Sequence, residues 1–326
     1  MVQEAVQEAV TKLSEVWPVV ERVVRAHSAV SAGASDLADA HGALFDEWLA
    51  AGRHASMTYL ERHANVRRDP KTRYPWAQSV IVLLVPYSAE RPDAEPGALS
   101  HHIARYALGD DYHDVLDRIL RDLESELSAA APGIRTWRYV DTGPLSDRSL
   151  AAQAGLGWIA KNGMLIDQQH GSYTFIGTLL TSLENDLDAT LAADRCGTCT
   201  RCLDACPTDA ILPDRTLDSH RCISYATIEH RGPLDATIES QLAANAFGCD
   251  ICQEVCPWNR AAPPGHPSFT ARDEYRNTPL TDLLRFAQAD FSTLFRKSAI
   301  KRAKLEGMQR NVAALLTADE KEILTS

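Results

Sequence analysis

Apolar residues recur at helical spacing in three segments of the first half of the chain. The first thirty residues place one apolar face at Ala5, Val6, Ala9, Val10, Leu13 and Val16. Residues 36–60 continue the period, with a stripe at Leu37, Leu44, Phe45 and Leu49 that ends near Gly52. The segment Tyr112–Leu127 repeats it at Val115, Leu116, Ile119, Leu120 and Leu123. Each pattern predicts an amphipathic helix.

Short aliphatic and β-branched runs between these helices predict strands. Val80–Val85 is continuously apolar and predicts a buried strand, and Arg135–Asp141 predicts a second. Met164–Ile166 and Tyr173–Thr181 predict a hairpin that turns at Gln169-His170-Gly171. Strands mixed with helices indicate an α/β (α+β) first domain over residues 1–190.

The rest of the chain divides into two further parts. Residues 191–262 contain every cysteine and form a separate module. Residues 263–326 have a helical pattern, and Pro263-Pro264-Gly265 marks the boundary between them. We therefore predict a mixed α/β domain, a ferredoxin-like module and a short helical C-terminal segment.

Composition places the chain among ordinary globular proteins. It has 326 residues, of which 45% are hydrophobic and 24% charged. The longest apolar run, Val80–Pro86, is far shorter than the roughly 20 residues of a membrane span. The glutamate-rich start resembles no secretory or transit peptide. We expect a cytoplasmic monomer that does not enter a membrane.

The net charge of −11 argues against generic binding of nucleic acid. One stretch departs from this average. Between Arg296 and Arg310 there are six basic residues and one acid, Glu306. Such a stretch is either a solvated helix face or a site that binds phosphate.

The spacing of the eight cysteines carries the clearest chemical signal. The first run is Cys196-x2-Cys199-x2-Cys202-x3-Cys206-Pro207, and the second is Cys222 followed by Cys249-x2-Cys252-x3-Cys256-Pro257. In the bacterial ferredoxin pattern three cysteines of a run hold one [4Fe–4S] cluster and the fourth binds the other. The predicted ligand sets are therefore Cys196, Cys199, Cys202 and Cys256, and Cys206, Cys222, Cys249 and Cys252.

Two other uses of the cysteines are less consistent with the sequence. A disulfide framework is disfavoured, because the chain shows no signal peptide and is too long to need covalent crosslinks. Structural zinc would accept two sets of four thiolates. The triple C-x2-C-x2-C ending in Cys-Pro is unusual for zinc, so we predict two clusters and one-electron transfer.

A few residues of the first domain are candidates for chemistry. Asp141 ends a predicted strand just before Gly143-Pro144, where its carboxyl group is either a proton donor or acceptor, or a turn residue that caps its own backbone. Gly155 and Gly157 lack the third glycine of a dinucleotide fingerprint. His113 and His170 are possible metal ligands, although a lone histidine more often packs or caps.

Several segments resemble one known family. They are Ala104–Ala107, Asp111–His113, Val140–Pro144, Ala154–Trp158 with Lys161-Asn162, Cys196–Thr208, Arg221–Tyr225, Gly248–Asp250 and Cys256–Asn259. Together they are similar to the epoxyqueuosine reductases, cobalamin-dependent iron–sulfur enzymes of queuosine biosynthesis. The resemblance extends over about residues 50–315, and Arg-Cys-Ile-Ser-Tyr at 221–225 is its most specific part.

The resemblance implies an activity and a set of roles. It implies a cobalamin-binding first domain that reduces the epoxide of epoxyqueuosine at the tRNA wobble position, with electrons from an external low-potential donor. Asp141 is the implied proton donor and is expected to have a raised pKa. The implied cofactor contacts are Arg67, Tyr106, Asp141, Ser224, Cys249 and Asp250. The expected tRNA contacts are Arg231 and, from the basic stretch, Lys301, Arg302 and Lys304.

The chain also departs from the family pattern. Ala160-Lys161-Asn162-Gly163 and Ser146-Asp147 replace the usual residues, and the C-terminal helical segment is shorter than in many relatives. Two alternatives therefore stay open. One is a related cobalamin and iron–sulfur reductase of a small molecule, like a reductive dehalogenase, and the other is an electron-transfer protein without a substrate.

Overall fold

The computed structural model describes residues 10–28, 30–38, 41–87, 91 and 93–316. Ala5, Val6 and Ala9 of the predicted first helix lie outside these ranges, and so do residues 317–326 of the predicted C-terminal helix. Within the described ranges, none of the helices combines the length and the apolar character needed to cross a bilayer.

The α-helices are, in chain order, α1 Leu13–Ala26, α2 Gly42–Ala50, α3 Tyr59–Arg62, α4 Ala64–Arg68, α5 Tyr112–Ala130, α6 Asp147–Gln153, α7 Arg201–Asp204, α8 Ile223–Ile228, α9 Ala236–Ser240, α10 Ile251–Glu254, α11 Asp273–Asn277, α12 Gln288–Leu294 and α13 Lys304–Leu315. The strands are β1 Ser31–Asp36, β2 Ser79–Pro86, β3 Thr136–Val140, β4 Trp158–Ile159, β5 Leu165–Ile166 and β6 Thr174–Thr181. Short 3-10 turns include Arg105–Ala107, Leu280–Arg285 and Ala299–Ala303.

A four-stranded sheet in the order β1-β2-β6-β3 forms the centre of the first domain, and each neighbouring pair is antiparallel. β2 is buried along its whole length, which explains its continuous apolar run. Helices α1 and α5 pack on one face, and α4 and α6 contribute Val66 and Leu150 to the other. β3 is an edge strand, and the chain leaves it directly into Asp141.

The predicted hairpin of Met164–Ile166 with Tyr173–Thr181 is wrong. Residues 167 and 171 do close a tight turn through two backbone hydrogen bonds of 2.8 and 2.9 Å. However, β5 pairs with β4, and β6 lies between β2 and β3. The eight residues of β6 bury more apolar surface in the centre of the large sheet than a two-residue partner could cover.

The predicted helix over residues 36–60 is also partly wrong. Residues 31–36 form β1, where Gly33 packs so closely on Ala154 that an added Cβ would lie 2.3 Å from its carbonyl oxygen. Helix α2 covers only Gly42–Ala50, and none of its residues is buried. The apolar stripe on α2 therefore does not enter the core.

The C-terminal helices share a core with earlier parts of the chain. Phe291, Met308 and Val312 pack with Leu99 and Phe247. The buried Asn311 side chain donates hydrogen bonds of 2.8 Å to the carbonyls of Thr227 and Ala246. This segment is thus packed against the cysteine-containing module.

Candidate functional site

Asp141 occupies a sharp turn at the end of β3. Its φ of 56° lies in the left-handed region, which aspartate tolerates better than most residues. The turn continues to Gly143, where an added Cβ would lie 2.1 Å from the ring of Tyr139, so a side chain is excluded there. The Asp141 side chain is 65% exposed, although burial has the largest single influence on its pKa. It therefore lines a recess that is open to solvent.

The start of α5 supplies two partners for this carboxylate. The Tyr112 hydroxyl donates a 2.8 Å hydrogen bond to Asp141 Oδ2, and His113 Nε2 lies 3.7 Å from the same oxygen. On its other side, His113 Nδ1 is 2.8 Å from Asp111 Oδ1, and Asp111 also caps the helix by accepting from the His113 backbone N–H. The imidazole thus lies between two carboxylates.

The expected raised pKa of Asp141 is wrong. Burial raises this pKa, but His113 and the Tyr112 hydrogen bond, followed by the charge of Arg67, outweigh it and hold the pKa below its usual value. Burial lowers the pKa of His113, but Asp111 and Asp141 together raise it to about 9. At neutral pH the proton of this group is therefore on the imidazole and Asp141 is an anion.

Arg67 and Asp147 lie close to Asp141 in the recess. Arg67 Nη1 donates a 2.6 Å hydrogen bond to the Leu145 carbonyl, whereas its buried Nε has no partner among the described residues. Burial, and then the charge of Asp141, raise the pKa of Asp147 to about 7. An unpaired guanidinium N–H and a carboxyl group that is partly protonated at neutral pH are both able to bind a polar ligand.

Tyr106 connects this recess to the cysteine module. Its ring contacts those of Tyr112 and Phe247, with centroids 6.2 and 5.9 Å apart. Next to Phe247, Gly248 has a φ of 71°, and an added Cβ would lie 2.6 Å from Ala104 Cβ. Burial and the charge of Asp141 raise the pKa of the Tyr106 hydroxyl.

Asp250, another expected cofactor contact, is only 1% exposed. Its carboxylate accepts a 2.7 Å hydrogen bond from the backbone of Arg105 and lies 3.3 Å from the Arg105 guanidinium. Burial raises its pKa despite these contacts. The side chain therefore fastens the segment before Tyr106 to the module rather than lining the recess.

The cysteines are all free thiols, and where the pKa of one is shifted, the neighbouring cysteines with the largest effect belong to the same predicted set. After burial, Cys196 and Cys256 raise the pKa of Cys202, and Cys196 and Cys199 raise that of Cys256. In the second group, burial followed by the charges of Cys222, Asp250 and Cys206 raises the pKa of Cys249 to about 12. Cys249 and Cys222 act on Cys252 in the same way. Thiols gathered in this way need a cationic group to become thiolates, and iron would supply it.

The segment 158–163 of the first domain packs against the first group. The Trp158 and Trp258 rings are 5.0 Å apart and form a cluster with Cys196 and Cys256. The Lys161 ammonium donates to the backbone carbonyls of Gly197 and Cys199 at 2.7 and 2.9 Å. These contacts exclude solvent from one side of the predicted cluster site and fix its loop.

The expected tRNA contacts occupy different environments. Arg302 forms a two-point ion pair with Glu229, with both distances 2.8 Å. Arg231 donates to the carbonyls of Ile228 and Arg302. Lys301 and Lys304 are exposed and, in the described ranges, are not paired with a carboxylate. Within this group, only the two lysines present free charge to a partner.

The remaining candidate residues lie between these regions. Ser224 is half-buried in the first turn of α8. His170 is held by Asp167, with Nδ1 2.8 Å from Oδ1, and serves the turn at 167–171. The sequence did not single out Tyr59. Burial, followed by the charge of Glu229, raises the pKa of its hydroxyl, and the charges of Arg302 and Asp141 have smaller effects. Its isolated position after Met57-Thr58 gave no signal.

Comparison with known proteins agrees with this arrangement. A family model described as a 4Fe-4S double cluster binding domain matches residues 195–259, and one described as epoxyqueuosine reductase QueG, DUF1730, matches residues 67–142. A protein of Leadbetterella byssophila named epoxyqueuosine reductase is 39% identical over 284 residues, which are 86% of this chain and 91% of that protein. One of the same name from Gloeobacter violaceus is 41% identical over 278 residues, covering 83% of this chain and 85% of the relative.

Solved structures give the same answer. A crystal structure of selenomethionine-labelled epoxyqueuosine reductase has a TM-score of 0.83 at 30% identity and covers 95% of this chain and 85% of that one. A structure of epoxyqueuosine reductase with a tRNA-Tyr epoxyqueuosine-modified stem loop has a TM-score of 0.80 at 30% identity, with coverage of 92% and 81%. The predicted mixed α/β fold class with a ferredoxin-like module is confirmed. The chain belongs to the epoxyqueuosine reductase family and contains a 4Fe-4S double cluster binding domain.

Proposed function

We propose that this protein reduces the epoxide of epoxyqueuosine at the wobble position of tRNA to give queuosine. The observation that carries the proposal is the group Asp111, Tyr112, His113 and Asp141, which lines a recess joined by Tyr106 to the double-cluster domain. Removal of an epoxide oxygen as water consumes two electrons and two protons. The recess offers protons, and the cysteine module supports a supply of electrons.

Two [4Fe–4S] clusters would be held by the thiol groups described above. A cytoplasmic low-potential donor would reduce them one electron at a time. The clusters fit the chain because Cys256 is buried, the other seven thiols are half-buried, and burial together with neighbouring cysteines raises the pKa of Cys249 and Cys256.

Cobalamin is the second proposed cofactor, and the residues of the recess suit it. Arg67, whose buried Nε has no partner among the described residues, and the ring of Tyr106 would contact the corrinoid, with the half-buried Ser224 and Cys249 as further expected contacts. When bound, the corrinoid would supply a strongly reducing metal centre for the epoxide. The chain itself binds, orients and protonates the substrate.

Asp141 and His113 would deliver the proton together. The 2.8 Å hydrogen bond from Tyr112 orients Asp141 towards the open recess. Because Asp141 is ionised at neutral pH and His113 keeps its proton up to about pH 9, the proton for the leaving oxygen would come from His113 Nε2 and pass to it through the Asp141 carboxylate. Asp111 holds Nδ1 of the ring, so the mobile proton is the one on Nε2.

The tRNA would approach along the exposed Lys301 and Lys304. Arg302 could reach a phosphate only by exchanging its two hydrogen bonds with Glu229, and Arg231 only by leaving the carbonyls that it binds. Replacing Lys301 and Lys304 with glutamine should weaken tRNA binding and reduce its dependence on salt. Unchanged binding would remove them from the interface.

The deciding experiment is mass spectrometry of tRNA from a host that lacks this protein. We expect epoxyqueuosine to accumulate and the wild-type gene to restore queuosine, whereas Asp141→Asn should not. Anaerobically purified protein should contain iron and take up cobalamin. Normal queuosine levels in the deletion strain would refute the proposed function.

A further inference from the structure

The edge strand β3 carries an aromatic surface that the proposed site does not use. Trp137 is 52% exposed on this strand, although it is among the largest apolar side chains of the protein. Side chains alternate along a strand, so Trp137 and Tyr139 lie on the same face. Tyr74 packs beside both, with ring centroids 6.2 and 5.9 Å away. The indole is therefore supported from below and open to solvent above.

Three cations lie within three residues of Tyr74 or Trp137 in the sequence. Arg135 lies over the ring of Trp76, 4.7 Å from its centroid, and Arg73 lies 5.7 Å from the centroid of Tyr74. Both guanidinium groups and the ammonium of Lys71 belong to exposed residues. In the part of the chain that the structure describes, none of the three is paired with a carboxylate.

This local charge contrasts with the rest of the chain. The net charge of the protein is −11, yet residues 67–79 contain four basic residues, of which only Arg68 is paired with a carboxylate in the described ranges (that of Asp46), and a single acid, Asp69. The Asp69 carboxylate caps the following turn by accepting from the Lys71 backbone N–H at 3.0 Å. A positive field in an acidic protein attracts a polyanion to this place rather than to the surface at large.

We propose that Trp137, Arg73, Arg135 and Lys71 form a second contact surface for tRNA, in which Trp137 stacks on an unpaired base and the cations bind the adjacent phosphates. The inference rests on the proposed function and extends it. An aromatic platform flanked by cations is the combination that binds single-stranded nucleic acid without reading its sequence.

The location supports this partner. β3 leads from Trp137 to Asp141, four residues further on, which is about 13 Å along an extended strand. Nucleotides of the loop that presents the wobble base to Asp141 can bridge such a distance. The surface would also supply charge that Arg231, Arg302 and Arg310 do not, since those residues are engaged with Glu229 and with backbone carbonyls.

The first test removes the platform in the enzyme loaded with its cofactors. We expect Trp137→Ala to weaken binding of an anticodon stem loop at least about fivefold, which corresponds to the smallest loss of binding free energy measured for one stacked base. Trp137→Phe should retain most of the affinity, because a phenyl ring can still stack. KM for tRNA should rise while kcat at saturation stays near that of the wild type. Leu191→Ala, a change at another exposed apolar residue, is the matched control and should alter neither.

The second test removes the charges. Arg73→Gln combined with Arg135→Gln should lower the slope of log affinity against log salt by about 0.7 to 0.9 for each phosphate that the protein no longer neutralises. Arg22→Gln combined with Arg25→Gln makes the same change in charge on helix α1, where both arginines pair with glutamates, and should leave the slope unchanged. Both pairs of substitutions are at exposed side chains, so folding is preserved.

The outcomes separate this inference from the proposed function. If the wild type reduces epoxyqueuosine in tRNA and Trp137→Ala binds as tightly as the wild type, the surface is not a tRNA contact. If Trp137→Ala changes the oligomeric state of the protein in solution but not its affinity for tRNA, β3 is an interface between copies of the chain. The inference is then also overturned. A wild type that binds tRNA through Trp137 without reducing it would contradict the proposed function alone.

Discussion

Replacing His113 with glutamine tests how the site handles its proton. Two unit charges 3.7 Å apart, the distance from His113 Nε2 to Asp141 Oδ2, interact by about 4 kcal/mol at an effective dielectric constant of 20 and by about 1 kcal/mol in water. Asp141 is 65% exposed, so solvent screening favours the lower value. Loss of the positive charge should therefore raise the pKa of Asp141.

The expected effect on turnover follows from the position of the proton. In the wild type, His113 stays protonated up to about pH 9, so activity should persist through neutral pH and fall on the alkaline side near that value. In His113→Gln, Asp141 remains ionised at neutral pH and has no imidazolium from which to draw a proton. We expect the rate at pH 7 to fall about 100-fold and the profile to move to acidic pH.

The measurement is a single-turnover pH profile of the reduced enzyme with epoxyqueuosine-containing tRNA under anaerobic conditions. His170→Gln is the matched control, because His170 has the same 2.8 Å contact with an aspartate but lies in the turn at 167–171. Its profile should match the wild type. If His113→Gln retains an alkaline limb near pH 9, His113 is not the proton source and the argument from its two carboxylate neighbours fails.

Three further changes test the same structure. Asp141→Asn should keep iron content and tRNA affinity but lose turnover, and activity close to wild type would end its assignment as the proton donor. Cys222→Ser should halve the iron content and abolish turnover, whereas retention of all iron, measured with ferrozine, would contradict its place in the second thiol group. The pKa of His113 is raised in the folded state, so the stability that its charge contributes is complete below about pH 6.5 and is lost as the pH rises through about 9. His113→Gln should therefore lower the Tm more at pH 6 than at pH 10. Equal losses of Tm at the two pH values would refute this linkage.

Local signals in the sequence were enough for some elements of this structure. The run Val80–Val85 could only be a buried strand, and the amphipathic pattern of Tyr112–Leu127 became the core-facing side of α5. Short loops keep Cys196, Cys199 and Cys202 together, whereas Cys256, the fourth member of that set, was assigned from the ferredoxin pattern. Asp141 was found because a strand ends beside a glycine and a proline.

Pairing between distant segments was not available from such signals. The partner of β6 depends on which strands bury its apolar residues, and the turn at residues 167–171 suggested a neighbour in sequence instead of β2. The pKa of Asp141 was assigned the wrong direction for the same reason. Its sign depends on Tyr112 and His113, which are 29 and 28 residues away and come near only when α5 packs on the sheet.

Charge along the sequence was also a poor guide to free charge in space. The stretch Arg296–Arg310 has the highest density of basic residues, but Arg302 is neutralised by Glu229, and Arg310 binds the carbonyls of Ala226, His230 and Gly232. Both arginines therefore act within the protein by fastening α13 and the turn before it to α8. Arg73 and Arg135 are 62 positions apart in the sequence and form no basic run, yet they lie over adjoining aromatic rings with no carboxylate partner in the described ranges. A polyanion responds to the charge that remains after such pairing, so the surface of β3 is a stronger candidate for tRNA than the density of basic residues indicates.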